Sequence, residues 1–455
     1  MKRIAILLFC AAAAAGCAGK DYAMPPQPDL MSQEQVEEEC IVDREWWKQY
    51  RDPGLDSCIT LALERNIDLA RSAITVNKAL YRAHQLGAEL VPGFSASASA
   101  GSRKQLDSGA STRSYSASFG LSYEIDLWGK LRNAASAQEW EHRATGYDRE
   151  AARLALLNSV ANTWHGMAYT REAIDLSKKT LCSYQKISAI MREQYQSGKS
   201  SRLDADQAAQ SVLAQRASIL SLEEQLAQQT QILRDLLDLR PADSLPAVPP
   251  LLSSVPLPAV DLEVPVSALG LRPDLQAAES RVMGSFRSWN ASRASLYPTV
   301  TIGGTLGASS NSQSSLFKTP FLNGLVTLNL PFLDWNRVQW DVRISRESFE
   351  DAKLAFRKAL TTALNEVDRY HGDYVRARSQ LELAQAKHET DRRIEGFRRA
   401  RYNEGAEDLK FWLEAINASH NSEMSALNAK YSAISAANAL FEAQAARLSR
   451  KPASR

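Results

Sequence analysis

The feature that most constrains the fold of this 455-residue chain is an internal duplication. Four landmarks recur at an offset of 206 or 207 residues. They pair Asp68-Leu69 with Asp274-Leu275, Pro92 with Pro298, Trp128 with Trp335, and Gly198 with Gly405. Such regular spacing indicates two similar halves of about 200 residues, so any fold assigned to one half must also suit the other.

Each half begins with the same predicted order of elements. A helix, at about 53–91 and again at about 273–297, ends at a proline that cannot continue the helical ladder. Two strand-like runs follow, separated by a loop rich in Ser, Gly, Asn and Gln. The strands are predicted at about 93–104 and 114–128, and at about 299–310 and 323–334.

The rest of each half is predicted to be helical. After Trp128 and Trp335, runs of helix formers reach Gly198 and Gly405. A helix of about 67 residues is about 100 Å long, which is typical of coiled coils rather than globular helices. A shorter helix follows each glycine, at about 199–239 and 406–448. Its heptad spacing in the first half predicts supercoiled packing: Val212, Ile219, Leu226 and Leu233.

These patterns divide the chain into six parts. They are a signal peptide (1–16), an N-terminal segment (17–52), a first repeat (53–240), a Pro-rich linker (241–265), a second repeat (266–448) and a C-terminal tail (449–455).

The first residues, MKRIAILLFCAAAAAGC, predict export. A basic end precedes an apolar run too short to span a bilayer. The run resembles a bacterial lipoprotein signal, in which cleavage after Gly16 leaves Cys17 to carry a covalent lipid. Ala14 stands where that signal usually has Leu, and an ordinary secretory signal cut nearby is the alternative. Ala18, rather than Asp, after the cysteine is typical of delivery to the outer membrane.

The remaining cysteines predict no metal site and leave one question open. None forms a CxxC pair, and no histidine cluster accompanies them. In an oxidising compartment Cys40 and Cys58 form either a disulfide or two free thiols.

The stretch SYSASFGLSYEIDLWG (114–129) alternates with a period of two. Tyr, Phe and aliphatic residues fall on one side, and Ser, Gly and acidic residues fall on the other. A half-buried soluble sheet has this pattern, and so does a barrel wall with lipid outside and water inside. No later segment reaches the ~18 apolar residues of a membrane helix. A chain that spans the membrane must therefore do so as a barrel. Four strands cannot close one, whereas two chains supply eight strands and three supply twelve.

Other function classes have little support in the sequence. A formal net charge of +2 is no footprint of nucleic-acid binding. The six histidines are scattered, and His388-Glu389 does not continue as a zinc-protease HExxH motif. The chain carries no GxSxG motif and no P-loop, so we expect no enzyme and no cofactor beyond the lipid on Cys17.

Taken together, the duplicated halves and several local motifs resemble the TolC-like outer membrane factors, specifically the lipidated branch associated with resistance-nodulation-division efflux. The motifs are Trp46-Trp47 followed by Asp52-Pro53-Gly54-Leu55, Tyr297-Pro298-Thr299, the second-half NLPFLDW, and the Leu-Glu-Ala at 413–415 after Gly405. The resemblance covers essentially the whole mature chain.

The resemblance implies an α+β membrane protein. Three chains would form a twelve-stranded outer-membrane barrel, four strands per chain, continued by a coiled-coil helical tunnel in the periplasm. This homotrimer would be a passive exit duct docked to a periplasmic adaptor and an inner-membrane pump. The helix turns at Gly198 and Gly405 would form the tip of the tunnel.

The same resemblance implies a gate near the second turn. Glu414 matches an acidic position that constricts the pore, where the family usually has Asp. Lys410 falls on another constricting position that is often Leu. At a spacing of four residues the two could pair within or between subunits, or both are solvated charges on a helix face.

Two other functions remain open at this point: the exit duct of a type I protein secretion system, and a structural periplasmic coiled-coil lipoprotein that never spans the membrane. The sequence does not name the exported compound.

Overall fold

The computed structural model describes residue 22 and residues 31–107, 109–318 and 320–451. They form two compact units. The first unit comprises residues 73–148 and 274–359 with Tyr22, and the second comprises residues 31–72, 149–273 and 360–451.

The elements of the N-terminal half follow the expected order. They are α1 (Gln33–Glu39), β1 (Cys40–Asp43), α2 (Pro53–Arg65), α3 (Ile67–Gly87), β2 (Gly93–Lys104), β3 (Ser111–Ile125), α4 (Lys130–Gln196) and α5 (Arg202–Leu236).

The C-terminal half repeats the part of this order that runs from α3 to α5 and then adds one short strand. Its elements are α6 (Pro273–Ala294), β4 (Thr299–Ser310), β5 (Pro320–Asn329), α7 (Trp335–Asn403), α8 (Leu409–Ala443) and β6 (Arg447–Arg450). Helices α4 and α7 contain 67 and 69 residues, and α5 and α8 contain 35 each. The two halves therefore match over five elements, α3 to α5 against α6 to α8, whereas α1, β1, α2 and β6 have no counterpart.

The single helix predicted at 53–91 is wrong in detail, because the chain breaks at Asn66. Asn66 leaves the helical conformation, and its side-chain oxygen accepts a hydrogen bond from the Leu69 N–H at 2.9 Å. It thereby caps α3, which ends at Gly87 and is followed by a short 3₁₀ turn (Ala88–Leu90). The helix predicted at 273–297 likewise ends early, at Ala294.

The predicted second strand of each hairpin is also displaced. Strand β3 ends at Ile125 rather than 128, because the Asp126 carboxylate turns back to accept hydrogen bonds from the N–H groups of Leu131 (3.2 Å) and Arg132 (3.0 Å). Strand β5 spans Pro320–Asn329 rather than 323–334, because a 3₁₀ turn (Pro331–Asp334) follows it.

The first unit is built on a four-stranded antiparallel sheet with the order β2-β3-β4-β5. Its helices are joined by an aromatic cluster. Phe286 and Trp289 of α6 pack against Phe349 of α7, and the Trp289 and Phe349 rings stack with centroids 5.8 Å apart. Tyr22 adds an edge contact to Phe349.

The second unit holds the largest apolar core. Trp46, Trp164 and Phe441 are almost completely buried there, and Leu252 of the linker inserts into the same cluster. Strands β1 and β6 pair antiparallel, with Cys40 opposite Arg450. The N-terminal and C-terminal segments are therefore hydrogen-bonded into one two-stranded sheet.

Polar groups, most of them buried, are hydrogen-bonded to one another within this core. The Tyr50 hydroxyl donates to Asn438 at 2.5 Å, and the Asn438 amide donates to Asn162 at 2.9 Å. His165 is completely buried and packs edge-on against the Tyr50 ring at 4.4 Å. Burial disfavours the imidazolium and lowers the pKa of His165 to about 4, although the nearby Asp52 carboxylate opposes this.

The predicted heptad row of α5 is partly buried against its neighbours. Ile219 and Leu233 are buried, whereas Val212 and Leu226 are half-buried. The polar residue Gln215, which lies between Val212 and Ile219, is also buried, and its amide donates to the Ser177 carbonyl at 3.3 Å. A hydrogen bond thus accommodates this polar residue within the helix packing.

The cysteine question is answered in favour of free thiols. Cys40 and Cys58 are buried without a disulfide, and Cys182 is exposed. Burial raises the pKa of the Cys58 thiol to about 12, with a smaller contribution from Asp52. Within the described ranges, no helix is long and apolar enough to cross a bilayer.

Candidate functional site

The sheet of the first unit separates two chemically different faces. Cross-strand partners lie on the same face, so the register links Phe94–Leu121, Leu121–Gly304 and Gly304–Gly324 into one row. The remaining members of this face include Tyr115, Ala117, Phe119, Tyr123, Ile302, Leu306, Leu322, Val326 and Leu328. Several of these large apolar side chains are exposed in the single chain, Leu322 by 78%. We call this surface the apolar face.

The opposite face carries mostly hydroxyls and glycines. Ser97 pairs with Ser118 and Ser99 pairs with Ser116, each with hydroxyl oxygens 2.8 Å apart. Phe321 is an exception to the alternation. Its ring lies over Gly307, where an added Cβ would approach it to 2.5 Å, so this glycine makes room for the aromatic side chain.

Both edges of this sheet are open in the single chain. Among the described residues, β2 pairs only with β3, and β5 pairs only with β4. Long, exposed edges of this kind offer unpaired backbone groups to another strand.

Aromatic residues mark the end of the sheet from which the long helices continue. The Trp128 and Tyr297 rings stack with centroids 4.9 Å apart, and the Trp128 indole N–H donates to the Pro298 carbonyl at 2.8 Å. This hydrogen bond joins the two duplicated halves.

The two helix turns of the second unit have matching backbone geometry. Gly198 and Gly405 adopt φ values of +70° and +71°, in the left-handed region that favours glycine. After each, the next N–H bonds back five residues, from Lys199 to Gln194 and from Ala406 to Arg401. These are the bonds of a Schellman helix end.

A carboxylate that the sequence analysis missed holds the second turn. Glu407 accepts a charge-assisted hydrogen bond from Arg398 and forms an ion pair with Arg401 at 3.4 Å, and only 10% of its side chain is exposed. The Arg398 guanidinium also lies over the Phe411 ring, 5.4 Å from its centroid. An acidic residue directly after the turn was visible in the sequence, but its arginine partners were not, because they lie across the turn.

The predicted gate residues lie on the first turns of α8. Lys410 and Glu414 are both exposed, and no ion pair joins them within one chain, although both belong to the described residues. The pairing predicted from their spacing is therefore not present within the subunit, and their role as a gate stays a prediction.

Instead of pairing with Glu414, Lys410 influences Asp204, which follows the turn at Gly198. The pKa of Asp204, at the start of α5, is lowered chiefly because the Ser201 hydroxyl and N–H donate to its carboxylate, at 2.7 and 3.2 Å. The positive charge of Lys410 adds to this lowering. The charge of Lys410 is thus close enough to influence Asp204, although no ion pair joins these two described residues.

The remaining predicted site residue, Cys17, lies outside the described residues, as does the predicted signal peptide. No group of His, Cys, Asp and Glu suited to a metal ion occurs in the part of the chain that the structure describes.

The comparisons with known proteins agree with this geometry. The sequence model of the family described as "Outer membrane efflux protein" matches residues 58–238 and 264–446. "Toxin and drug export protein A" of Aggregatibacter actinomycetemcomitans is 36% identical over 98% of both chains. "Pyoverdine export outer membrane protein OpmQ" of Pseudomonas putida is 28% identical over 89% of this chain and 88% of that protein.

A solved structure shows the same fold. The CmeC outer membrane channel of Campylobacter jejuni superposes with a TM-score of 0.83 at 22% identity, covering 94% of each chain.

Proposed function

The chain belongs to the outer membrane efflux protein family, and we propose that it forms the exit channel of a tripartite efflux pump. Family and fold are those of channel proteins located in the outer membrane. The observation that carries the proposal is the sheet with one apolar face, one hydroxyl-rich face and two open edges.

The open edges support assembly into a trimer. In this arrangement β5 of one chain pairs with β2 of the next, and three chains close a barrel of twelve strands. The apolar face then contacts lipid, and the serine and threonine hydroxyls line a wet lumen. Closure also pairs the edge backbone groups, which lipid cannot solvate.

The long helices that follow the sheet in the chain form the periplasmic tunnel. Its tip contains the turns at Gly198 and Gly405, where a periplasmic adaptor docks and connects the channel to an inner-membrane pump. Rings of Glu414 and Lys410 constrict the pore near this tip. Energy comes from the pump, because the channel conducts passively.

A covalent lipid on Cys17 adds a second attachment to the membrane in this proposal. Its support is the sequence alone: a short apolar run and small residues directly before the cysteine.

The names of the relatives state what those proteins export. One relative is named for export of toxins and drugs, and another for export of pyoverdine. We favour small drug-like molecules as substrates. The name of the first relative also supports a second candidate function, the exit duct of a type I protein secretion system.

Two assays test the proposal. Purified protein added to a planar bilayer is expected to give stepwise conductance. A strain without the gene is expected to become more sensitive to drugs but to secrete its proteins normally. Loss of secretion with unchanged drug sensitivity would favour the second candidate, and no conductance would contradict a channel.

A further inference from the structure

Two cations end the apolar face at the hairpin between β2 and β3. Arg113 is opposite Ser102, and Lys104 is opposite Ser111. These pairs continue the rows of Ala100–Tyr115 and Ala98–Ala117, so both cations fall on the apolar face. They are diagonal neighbours, about 7–8 Å apart along the sheet.

Both cations are unneutralised by the described part of the chain. Lys104 and Arg113 are exposed, and neither forms an ion pair with a described residue. Their neighbour Arg103 is opposite Thr112 and therefore falls on the hydroxyl-rich face. One strand end thus presents basic side chains to both sides of the sheet.

Below the two cations lies a groove in the apolar face. It has a volume of about 510 Å³. Small side chains form its floor and larger ones its walls: Ala96, Ala98, Ala117, Phe119, Leu306 and Phe317. Phe317 comes from the 3₁₀ turn Gln313–Lys318, which folds over the sheet and buries Ala308. Lys318 follows Phe317 directly and is a third nearby cation in the chain.

The spacing between groove and cations suits an acylated phosphate. Arg113 lies four residues beyond Ala117 on β3, which is about 14 Å along the strand. From Ile125 to Tyr115 the apolar face extends about 34 Å along β3, and a strand tilt of about 40° reduces this to about 26 Å along the membrane normal, close to the apolar band of an outer-membrane barrel. Lys104 and Arg113 therefore sit just beyond this band, at the depth of lipid headgroups.

We propose that this surface binds a phosphorylated, multiply acylated glycolipid of the outer leaflet, namely the lipid A part of lipopolysaccharide. Lys104 and Arg113 contact its phosphates, and the alanine-floored groove takes an acyl chain. The inference rests on the proposed function, because it requires the hairpin turns to face the outside of the outer membrane. Charge complementarity selects an anionic lipid, and the groove selects one whose acyl chain lies flat against the wall.

The test measures lipid bound to the intact trimer. Detergent-solubilised protein is incubated with bis-phosphorylated lipid A, and bound lipid is counted by native mass spectrometry. The variant K104E/R113E is expected to lose at least about tenfold in lipid affinity, because each cation near an anionic surface contributes about 1 kcal/mol. R103E is the matched control, since it reverses a charge at the same strand end on the opposite face.

A second variant tests the groove without changing charge. Ala117→Leu fills its floor and is expected to weaken binding of lipid A while the trimer and its conductance persist. Equal lipid retention by wild type and K104E/R113E would overturn the proposal, as would an equal loss in R103E. Equal affinity for phosphatidylglycerol would overturn the assignment to lipid A. Failure of wild type to form a conducting trimer would instead contradict the proposed function.

Discussion

At the scale of single residues, Glu407 and Glu414 lie in opposite electrostatic environments although seven residues separate them. Glu407 is tied to Arg398 and Arg401, and little of its side chain is exposed. Glu414 is exposed and forms no ion pair with a described residue. Glu407 therefore stabilises the turn, whereas the exposed carboxylate of Glu414 is available for the gate role that we propose for it.

We predict that Glu414→Ala raises single-channel conductance and lowers preference for cations. A ring of carboxylates both narrows a pore and selects cations, and the substitution removes both effects. Planar-bilayer recordings measure both quantities. Glu404→Ala, at an exposed position before the turn, is the control that should leave them unchanged. Wild-type conductance in Glu414→Ala would contradict the gate assignment.

The lowered pKa of the buried His165 predicts that the free energy of unfolding falls in acid. Its pKa is lowered to about 4 in the folded protein, against about 6.5 in the unfolded chain. The folded state favours the neutral ring of His165. The contribution of His165 to the free energy of unfolding is therefore complete above pH 6.5 and is lost as pH falls towards 4. Its full size is about 3 kcal/mol.

The check is the midpoint of thermal unfolding between pH 7 and pH 4. His165→Leu should make the midpoint less sensitive to pH, because one titrating group is gone. His84→Gln, at an exposed position, should keep the wild-type dependence. The same pH dependence in all three proteins would show that His165 does not contribute.

At the scale of elements, glycine is required in the helix turns, where the backbone is left-handed, but it is unfavourable in the helix interiors. Gly405 has φ +71°, and an added Cβ would meet no atom within 4 Å. Gly405→Ala is therefore expected to destabilise the turn by about 1–2 kcal/mol through backbone strain alone. Gly396, within α7, also faces open space, and Gly396→Ala should stabilise by about 1 kcal/mol.

Limited proteolysis measures this difference. Cleavage near residue 405 should become faster in Gly405→Ala and slower or unchanged in Gly396→Ala. Equal protection of the two variants would mean that the left-handed conformation at Gly405 is not required.

The long elements were predictable because each has a pattern that repeats. Uninterrupted helix formers predicted α4 and α7, and alternation of apolar and polar residues predicted the two faces of β3. The ends of elements were missed where one side chain decides them. Asp126 caps α4 and ends β3, and Asn66 breaks the first helix, yet Asp and Asn occur at many positions that end nothing.

The residues at the helix turns also show which parts of the candidate site could be predicted from the sequence and which could not. Gly198 and Gly405 were found from the sequence because a glycine ends each run of helix formers. Glu407 was missed because its importance depends on arginines six and nine residues earlier, which only the folded turn brings close. Asp204 and Lys410 lie about 200 residues apart, so their interaction was not visible either.

At the scale of the whole molecule, the four-stranded sheet of a single chain leaves one apolar face and two edges uncovered. It exposes large apolar side chains on one face of an open sheet, including Phe94, Leu322 and Val326. Contiguous exposed apolar surface of this kind marks a contact with lipid or protein. In the proposed trimer, lipid covers this face and strands of neighbouring chains pair with both edges.

Membrane attachment has its own test. We predict that the wild-type N-terminus carries a lipid mass and that Cys17→Ser removes it, because the modified atom is the cysteine sulfur. Mass spectrometry of the N-terminal peptide measures the difference, and Cys182→Ser is the control that should keep the lipid. An unmodified wild-type N-terminus would contradict the lipoprotein assignment and favour an ordinary secretory signal.

The most direct test of the account is the native mass of the protein extracted in detergent. The account predicts a particle with three copies of the chain, which gives twelve strands and a closed wall around a hydroxyl-lined lumen. A monomer would leave β2 and β5 without partners and would contradict the channel, returning the sheet to an ordinary half-buried one.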